Sequence, residues 1–528
     1  MKPALNPLST DLERLQAQLR NQVAANEALV REKARLQAER DVLREQLNLL
    51  LAKRYGPSSE KSAPGQTDLF FNEAEAEVGA DEDAGRDSDE DAGDDTVTVP
   101  EHSRRKAGRR PLPEALPRIE VIHDLSEAEK ICPADGHTLA PIGEEITEQL
   151  DIVPAKVQVI RRIRKKYACP CCQGTVKIAP LPPQPIPKSL ATAGLLAHVV
   201  VAKYQDALPL YRQEGMFQRI GVDLPRATLA NWMIKAGALV QPLINRLRDE
   251  LLDFDCLQMD ETPVQVLKEA GKAATSKSYM WVQRGGPPGR SVILFDYDPS
   301  RSQQVPLRLL DGFQGYLQSD AYEGYGAICA QPGVTAVGCW SHARRKFDEA
   351  VKAQGRGKPK TGKASKGLAL IQKLYRIEKL AKDLEPAARQ SMRQAQAKPL
   401  LDDMRAWLDQ SLPQVPPQSA TGKALHYLNN QWTKLIRYLD DGRLAIDNNA
   451  CERAIRPFVT GRKNWIFSDT PRGAKASAAL YSLIETAKAN HLEPYRYLRH
   501  IFKELPAAQS LDDIDTLLPW NIDDQNDT

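Results

Sequence analysis

Residues 8–51 contain neither glycine nor proline, and Leu15, Leu29, Leu36, Leu43 and Leu50 recur on one heptad column broken only at Gln22. Leu12, Leu19, Asn26, Lys33, Arg40 and Leu47 form the companion column. A stripe repeating every seven residues belongs to a long helix that buries it against another helix, the seam of a coiled coil. A single seam asparagine such as Asn26 fixes register and favours a dimer, while Lys33 and Arg40 weaken the seam and shorten it. The alternative is that the stripe docks on its own chain. Either way the helix supplies no core of its own, so the remaining residues must fold separately. A chain of 528 residues has room for three to five structural units.

Composition narrows those units. The hydrophobic fraction of 42% supports a globular interior. The net charge of +3 hides an asymmetry: between Glu73 and Asp95 twelve acids face one base, Arg86, giving −11 and leaving about +14 on the rest. Residues 56–100 carry this acidic run with few core-forming side chains, and read as a disordered linker. A basic body with one acidic segment suits a polyanionic partner. Apolar runs such as "LLAHVVVA" near Leu195 are too short to span a membrane, and the N-terminus has no apolar signal core. The expectation is a cytoplasmic protein, at the nucleoid if its partner is DNA, with no membrane contact. Eight cysteines in so long a chain point to metal binding where they cluster.

Residues 101–180 open with "HSRRKAGRRPLP", in which Arg104, Arg105, Lys106, Arg109 and Arg110 form either a phosphate-contacting cluster or a solvated basic loop. Cys169 and Cys172 have the C-x2-C spacing that grips one tetrahedral zinc. The other half is imperfect: Cys132 is followed at the same spacing by Asp135, so Asp135 or His137 would complete the shell. Such a closed shell is structural, and a cysteine-bearing hairpin without metal is its rival. A stiff proline segment, "APLPPQPIPK", leads to residues 188–250, which read as helices. There an amphipathic helix, a turn at Gly221 and a second helix from near Pro225 suit helix-turn-helix geometry. Arg226, Thr228 and Asn231 would face a DNA groove, although any helical hairpin looks similar.

From Asp253 the texture changes to strands. "CLQMDETPVQVL", "SYMWVQRG" and "RSVILFDYD" precede a short helix, then the strand-like "GYLQSDAYEGYG", then "GVTAVGCWSHARRKF", read as a helix. Three strands, a helix, another strand and a helix is a ribonuclease H-like order. Two strands end alike, at Leu257-Gln258-Met259-Asp260 and Leu317-Gln318-Ser319-Asp320. If they are sheet neighbours, their carboxylates would repel unless divalent cations such as Mg2+ (or Mn2+) bound between them. Glu452, in "AIDNNACERAIRPF", is the candidate third ligand of a two-metal site. The competing readings are local. Glu452 could close a capping box with Asn449 and pair with Arg456, and Pro457 should end that helix. Glu261 could replace Asp260, Pro263 is awkward inside a strand, and Asp320 could cap a strand end.

Taken together, these blocks resemble the insertion-sequence 66 family of bacterial transposases. The resemblance runs from the leucine stripe and "SSEK" through "RKKYACPCC", "LPLYRQE", "MDETPVQVL", "GYLQSDAYEGY" and "CWSHARRKF" to "IDNNACERAIRPF", "GRKNWIF" and "ANHLEPYRYL". It implies a DDE transposase whose acids fall on Asp260, Asp320 and Glu452, with a helical insertion between the last two. It implies a finger with two cysteine pairs, from which Asp135 departs. Arg453, Arg456, Arg462 and Lys463 would then line the path of the scissile phosphate, with His342, Arg344 or Arg345 nearby. Lys358, Lys360, Lys363 and Lys366 would track DNA backbone or form an exposed loop.

The expected fold is multidomain α+β. It comprises a coiled coil (8–55), an acidic linker (56–100), a basic segment with a zinc-finger-like module (101–180) and a helical DNA-binding region (188–250). A ribonuclease H-like core (251–347 and 441–490), a helical insertion (348–440) and a C-terminal segment (491–528) complete it. The expected partners are terminal inverted repeats and target DNA, a second copy of the chain and small accessory proteins of the same element. The rival is a DNA-binding regulator without catalysis.

Overall fold

Absence of glycine and proline lets one helix, α1 (Pro7–Tyr55), run for 49 residues. Its leucines stay exposed, with Leu29 at 66%, Leu36 at 54% and Leu43 at 59%. It meets the rest of its unit near its C-terminal end, where Val42 and Leu49 are half-buried and two polar groups bond across. Asn48 Nδ2 donates to the Ala353 carbonyl (2.9 Å), and Glu45 Oε2 accepts from the Ala420 amide (2.8 Å). The leucine stripe is therefore not used up by docking on this chain.

The computed structural model describes residues 7–55, 157–168, 176–354 and 362–522. It divides into two units, one of residues 1–67 with 182–528 and one of residues 68–181. In the smaller unit β1 (Lys166–Ala168) and β2 (Val176–Ile178) pair antiparallel. Arg104, Arg105, Arg109, Arg110, Cys132, Asp135, His137, Cys169, Cys172, Lys358 and Lys360 lie outside the described residues.

In the larger unit α1 is followed by four helices: α2 (Ala193–Tyr204), α3 (Leu210–Arg219), α4 (Arg226–Leu239) and α5 (Gln241–Leu252). Gly221, between α3 and α4, takes φ +79°, a conformation that glycine adopts without steric cost. Three strands follow, β3 (Cys256–Gln265), β4 (Lys277–Gly285) and β5 (Val292–Asp298). Then come α6 (Gln304–Leu309), β6 (Gly315–Gln318), α7 (Gly326–Cys329), β7 (Val334–Val337) and α8 (Trp340–Ala353). The sheet order is β5-β4-β3-β6-β7, antiparallel among β3, β4 and β5 and parallel among β3, β6 and β7. The fifth strand, β7, adds to the order expected from sequence; four residues carry too little alternation to declare a strand by themselves.

The chain then forms α9 (Lys363–Leu380), α10 (Pro386–Met392), α11 (Lys398–Ser411) and α12 (Ala420–Ile436). It closes with α13 (Asn449–Trp465), α14 (Pro471–Ala489), α15 (Pro494–Glu504) and α16 (Leu511–Asp515). Two hydrophobic cores result. One joins α2–α5 to the sheet, α13, α14 and α15; the other joins α8 to the helices between α8 and α13. Helix α14 also covers the edge strand β5. Ser482 Oγ accepts from the Phe295 amide (2.8 Å), and Thr486 Oγ1 both accepts from the Ile293 amide (3.0 Å) and donates to its carbonyl (2.9 Å). Those bonds satisfy backbone groups that an open edge would leave unpaired.

Two local expectations change. Pro263 does sit in a strand, opposite Tyr279, because β6 ends at Gln318 opposite Gln258 and leaves this end of β3 without a second ladder. Pro457 does not end its helix: α13 continues through it to Trp465. Ala454, Ile455, Phe458 and Gly461 are buried on both sides of the proline, and this packing outweighs the lost backbone hydrogen bond. Among the described residues no helix is long and apolar enough to cross a membrane.

Candidate functional site

The parallel register of β3 and β6 explains the repeated L-Q-x-D pattern. Leu257 stands opposite Leu317 and Gln258 opposite Gln318, so Asp260 follows two residues later inside β3 and Asp320 two residues past the end of β6. The glutamines tie the sheet to the loop before α13. Gln258 Nε2 donates to Gln318 Oε1 (2.7 Å) and to the Asp447 carbonyl (3.2 Å). Gln318 Nε2 donates to the carbonyls of Ala445 (2.8 Å) and Gly338 (3.2 Å). Asn448 Nδ2 adds a bond to the Met259 carbonyl (3.0 Å), next to Asp260. Helix α13 thus starts against the middle of β3, beside Asp260, and the end of β6 that leads to Asp320, and Glu452 lies in its first turn.

The capping alternative is not realised. The N-cap is Asn448, no side chain caps the helix, and Glu452 Oε1 is buried without a hydrogen-bond partner. Asp447 does the local work instead, accepting from the Asn449 amide (3.2 Å) and from Tyr375 Oη (2.8 Å).

The electrostatics link the acids. Burial, reinforced by Glu261, Glu452 and Asp320, pushes the Asp260 carboxyl up to about 8, against a hydrogen bond from the Glu261 amide (2.8 Å). Asp320 Oδ1 accepts from the Tyr322 amide (2.9 Å). His342 Nδ1 lies 3.9 Å and Arg345 Nη2 4.0 Å from the Glu452 carboxylate. Burial pulls His342 below its usual range, opposed by the negative charges of Glu452 and Asp320. Glu261 is engaged elsewhere: it accepts from Arg301 Nε (2.8 Å) and from Tyr325 Oη. Arg301 and Tyr325 hold the Glu261 carboxylate, whose charge nevertheless adds to the pressure on Asp260.

Among the described residues, the metal-capable trio with ligand atoms within 4.8 Å of one another is Cys339, His342 and Glu452. Asp260, Asp320 and Glu452 do not form such a group.

The remaining sequence candidates scatter. Arg453 and Lys463 are exposed on α13, and Arg456 is half-buried. Arg462 Nη1 donates to Thr262 Oγ1 (3.3 Å), two residues beyond Asp260. Arg226 and Asn231 are exposed on α4. Thr228 is half-buried and lines a cavity of about 240 Å3 with Trp232, Lys188 and Lys235. Arg226, Thr228 and Asn231 are not brought to the acids' cluster by any described contact. Sequence reasoning missed the Arg301–Glu261–Tyr325 network and Cys339. The C-x2-H spacing of Cys339 and His342 was the available signal for the latter.

A family model described as "Transposase IS66 family" matches residues 188–476. Others match residues 129–173 ("zinc-finger binding domain of transposase IS66"), 482–520 ("IS66 C-terminal element") and 42–121 ("Transposase C of IS166 homeodomain"). The chain is 33% identical over 422 residues to an uncharacterised protein, y4jD, of Sinorhizobium fredii (strain NBRC 101917 / NGR234), covering 78% of this chain and 81% of that one. It is 31% identical over 438 residues to a second uncharacterised protein of the same strain, y4qI, covering 79% of each.

Proposed function

The chain belongs to the IS66 family of transposases, and from that premise we propose that it cleaves and rejoins DNA at the ends of an insertion sequence through Asp260, Asp320 and Glu452. The observation that carries this reading is the coupling at Asp260. Asp260 is half-buried, and its carboxyl is raised to about 8 by desolvation and by the charges of Glu261, Glu452 and Asp320. A cluster of carboxylates held so is costly without cations, and oxygen-only donors suit Mg2+ or Mn2+. Asp260, whose carboxyl feels both Glu452 and Asp320, would hold such ions together with those two acids. When bound, such a pair of ions activates an attacking oxygen and stabilises a leaving one.

The protein's own groups do the rest. Gln258 and Gln318 hold the two strands and the α13 loop in one frame. Arg453, Arg462 and Lys463 lie along the helix that carries Glu452 and would steer the phosphate backbone. Water attack would release a 3′-hydroxyl, and attack of that hydroxyl on target DNA would form one P–O bond and break another. No protein nucleophile is required. The sheet order and strand directions support a ribonuclease H-like core. The zinc-finger match over residues 129–173 includes Cys132, Asp135, Cys169 and Cys172, which supports a structural zinc there.

The test is metal-dependent cleavage and strand transfer on DNA carrying the element's ends, with and without the accessory proteins encoded beside it. Asp260→Asn and Glu452→Gln should each lower the rate at least about 100-fold while retaining DNA binding. Undiminished cleavage by both variants would refute the acid assignment. A wild-type chain that binds ends but never cuts would favour a regulator.

A further inference from the structure

We propose that Cys339, His342 and Glu452 form a second cation site, selective for a zinc-like ion, that competes with the acids' site for Glu452. The three groups come from two places. Cys339 is the N-cap of α8 and His342 lies in its first turn, while Glu452 lies in the first turn of α13. The Trp340 amide donates to the Ile446 carbonyl (3.2 Å) and the Asn448 amide to Cys339 Sγ (3.2 Å), which pins the two helix starts together. Their ligand atoms lie within 4.8 Å of one another. His342 Nδ1 and Glu452 Oε1 are both buried without hydrogen-bond partners, and they face each other at 3.9 Å.

Two unsatisfied buried polar atoms beside a thiol are an unfavourable arrangement unless something sits between them. Zinc with bonds of about 2.0–2.3 Å would need donor separations of roughly 3.5 Å, a closure of about an ångström that side-chain rotation provides. The thiol would lose its proton to solvent on binding. Burial pushes the Cys339 thiol up to about 12, partly offset by the Asn448 amide, so the free protein keeps it protonated. A sulfur–nitrogen–oxygen donor set favours Zn2+ over Mg2+, which prefers oxygen alone. Glu452 Oε1 drawn to an ion at the trio is withdrawn from the acids' site, so binding at one site weakens binding at the other. Binding at the trio stands without reference to DNA chemistry, whereas the competition rests on the proposed role of Glu452.

The experiment uses the full chain with Cys169→Ser and Cys172→Ser, which removes the thiolate pair of the finger region. Cobalt titration should leave a thiolate-to-cobalt charge-transfer band, lost on adding Cys339→Ser and weakened by His342→Gln. Thermal melts identify a Cys339→Ser chain that has lost its fold, in which case His342→Gln carries the comparison. Absence of the band, or its persistence in both variants, overturns the site. In the otherwise unaltered chain, zinc should inhibit Mg2+-dependent cleavage, and Cys339→Ser should raise the zinc needed at least about tenfold. An unchanged zinc requirement overturns the competition. If the protein does not cleave DNA at all, the cobalt band still decides the site.

Discussion

Asp260 and Glu261 are neighbours in sequence with opposite fates, and the difference is their partners. Glu261 meets Arg301 and Tyr325, whereas Asp260 accepts a bond from the Glu261 amide and feels the charges of Glu261, Glu452 and Asp320. A carboxyl raised in the folded state binds a proton that the unfolded chain has already released. Its contribution to stability is therefore present at low pH and lost as pH rises through about 8. Without divalent metal, thermal stability should fall between about pH 5 and pH 8, and Asp260→Asn should flatten that fall. At pH 8 the metal-free variant should melt at least about 2 °C above wild type. Added Mg2+ should raise the wild-type melting temperature more at pH 8 than at pH 6, and leave the variant nearly unmoved. A calorimetric series with and without chelator reads all three, and an unaltered pH profile in Asp260→Asn would contradict them.

Helix α13 shows how far tertiary packing overrides local preference. Its sequence carries a capping pattern and a proline stop, and the structure uses neither, because the buried face on both sides of Pro457 is held by the core. A helix-interior proline costs about 3 kcal/mol relative to alanine, part of which the surrounding structure has absorbed. Pro457→Ala should restore the missing backbone bond to Arg453 and raise the urea midpoint by about 1 kcal/mol equivalent at unchanged slope. A lower midpoint would mean that the proline ring itself packs productively. The strands tell the converse story. Alternation and β-branched content announced β3, β4 and β5, and the doubled L-Q-x-D signalled the pairing of β3 with β6. β7 was too short to announce itself.

Across the molecule, the helices between α8 and α13 build a separate core and reach back to the site. Arg393, 1% exposed, pairs with Glu378 and donates to the carbonyls of Tyr438 (2.7 Å), Asp441 (3.0 Å) and Leu444 (2.9 Å), while Tyr375 holds Asp447. The long insertion thereby steadies the loop that delivers Glu452. At the other end, α1 leaves its leucine column in solvent, which supports pairing with a second copy. Leu29→Lys with Leu36→Lys should halve the mass measured by light scattering without lowering the main thermal transition. A mass unchanged by the double variant would place self-association elsewhere.

The residue types and their spacings were enough to nominate the acids, the leucine helix, the cysteine pair and the sheet's first strands, because each leaves a periodic or repeated local mark. Which acid stays unpaired, how the loop before α13 is anchored, and that Cys339 and His342 share Glu452 were not legible in the chain. Those depend on contacts between residues one to two hundred positions apart, such as Gln258 with Asp447 and Asn448 with Met259. Local pattern carries no information about such meetings until the sheet register and the two cores bring them about.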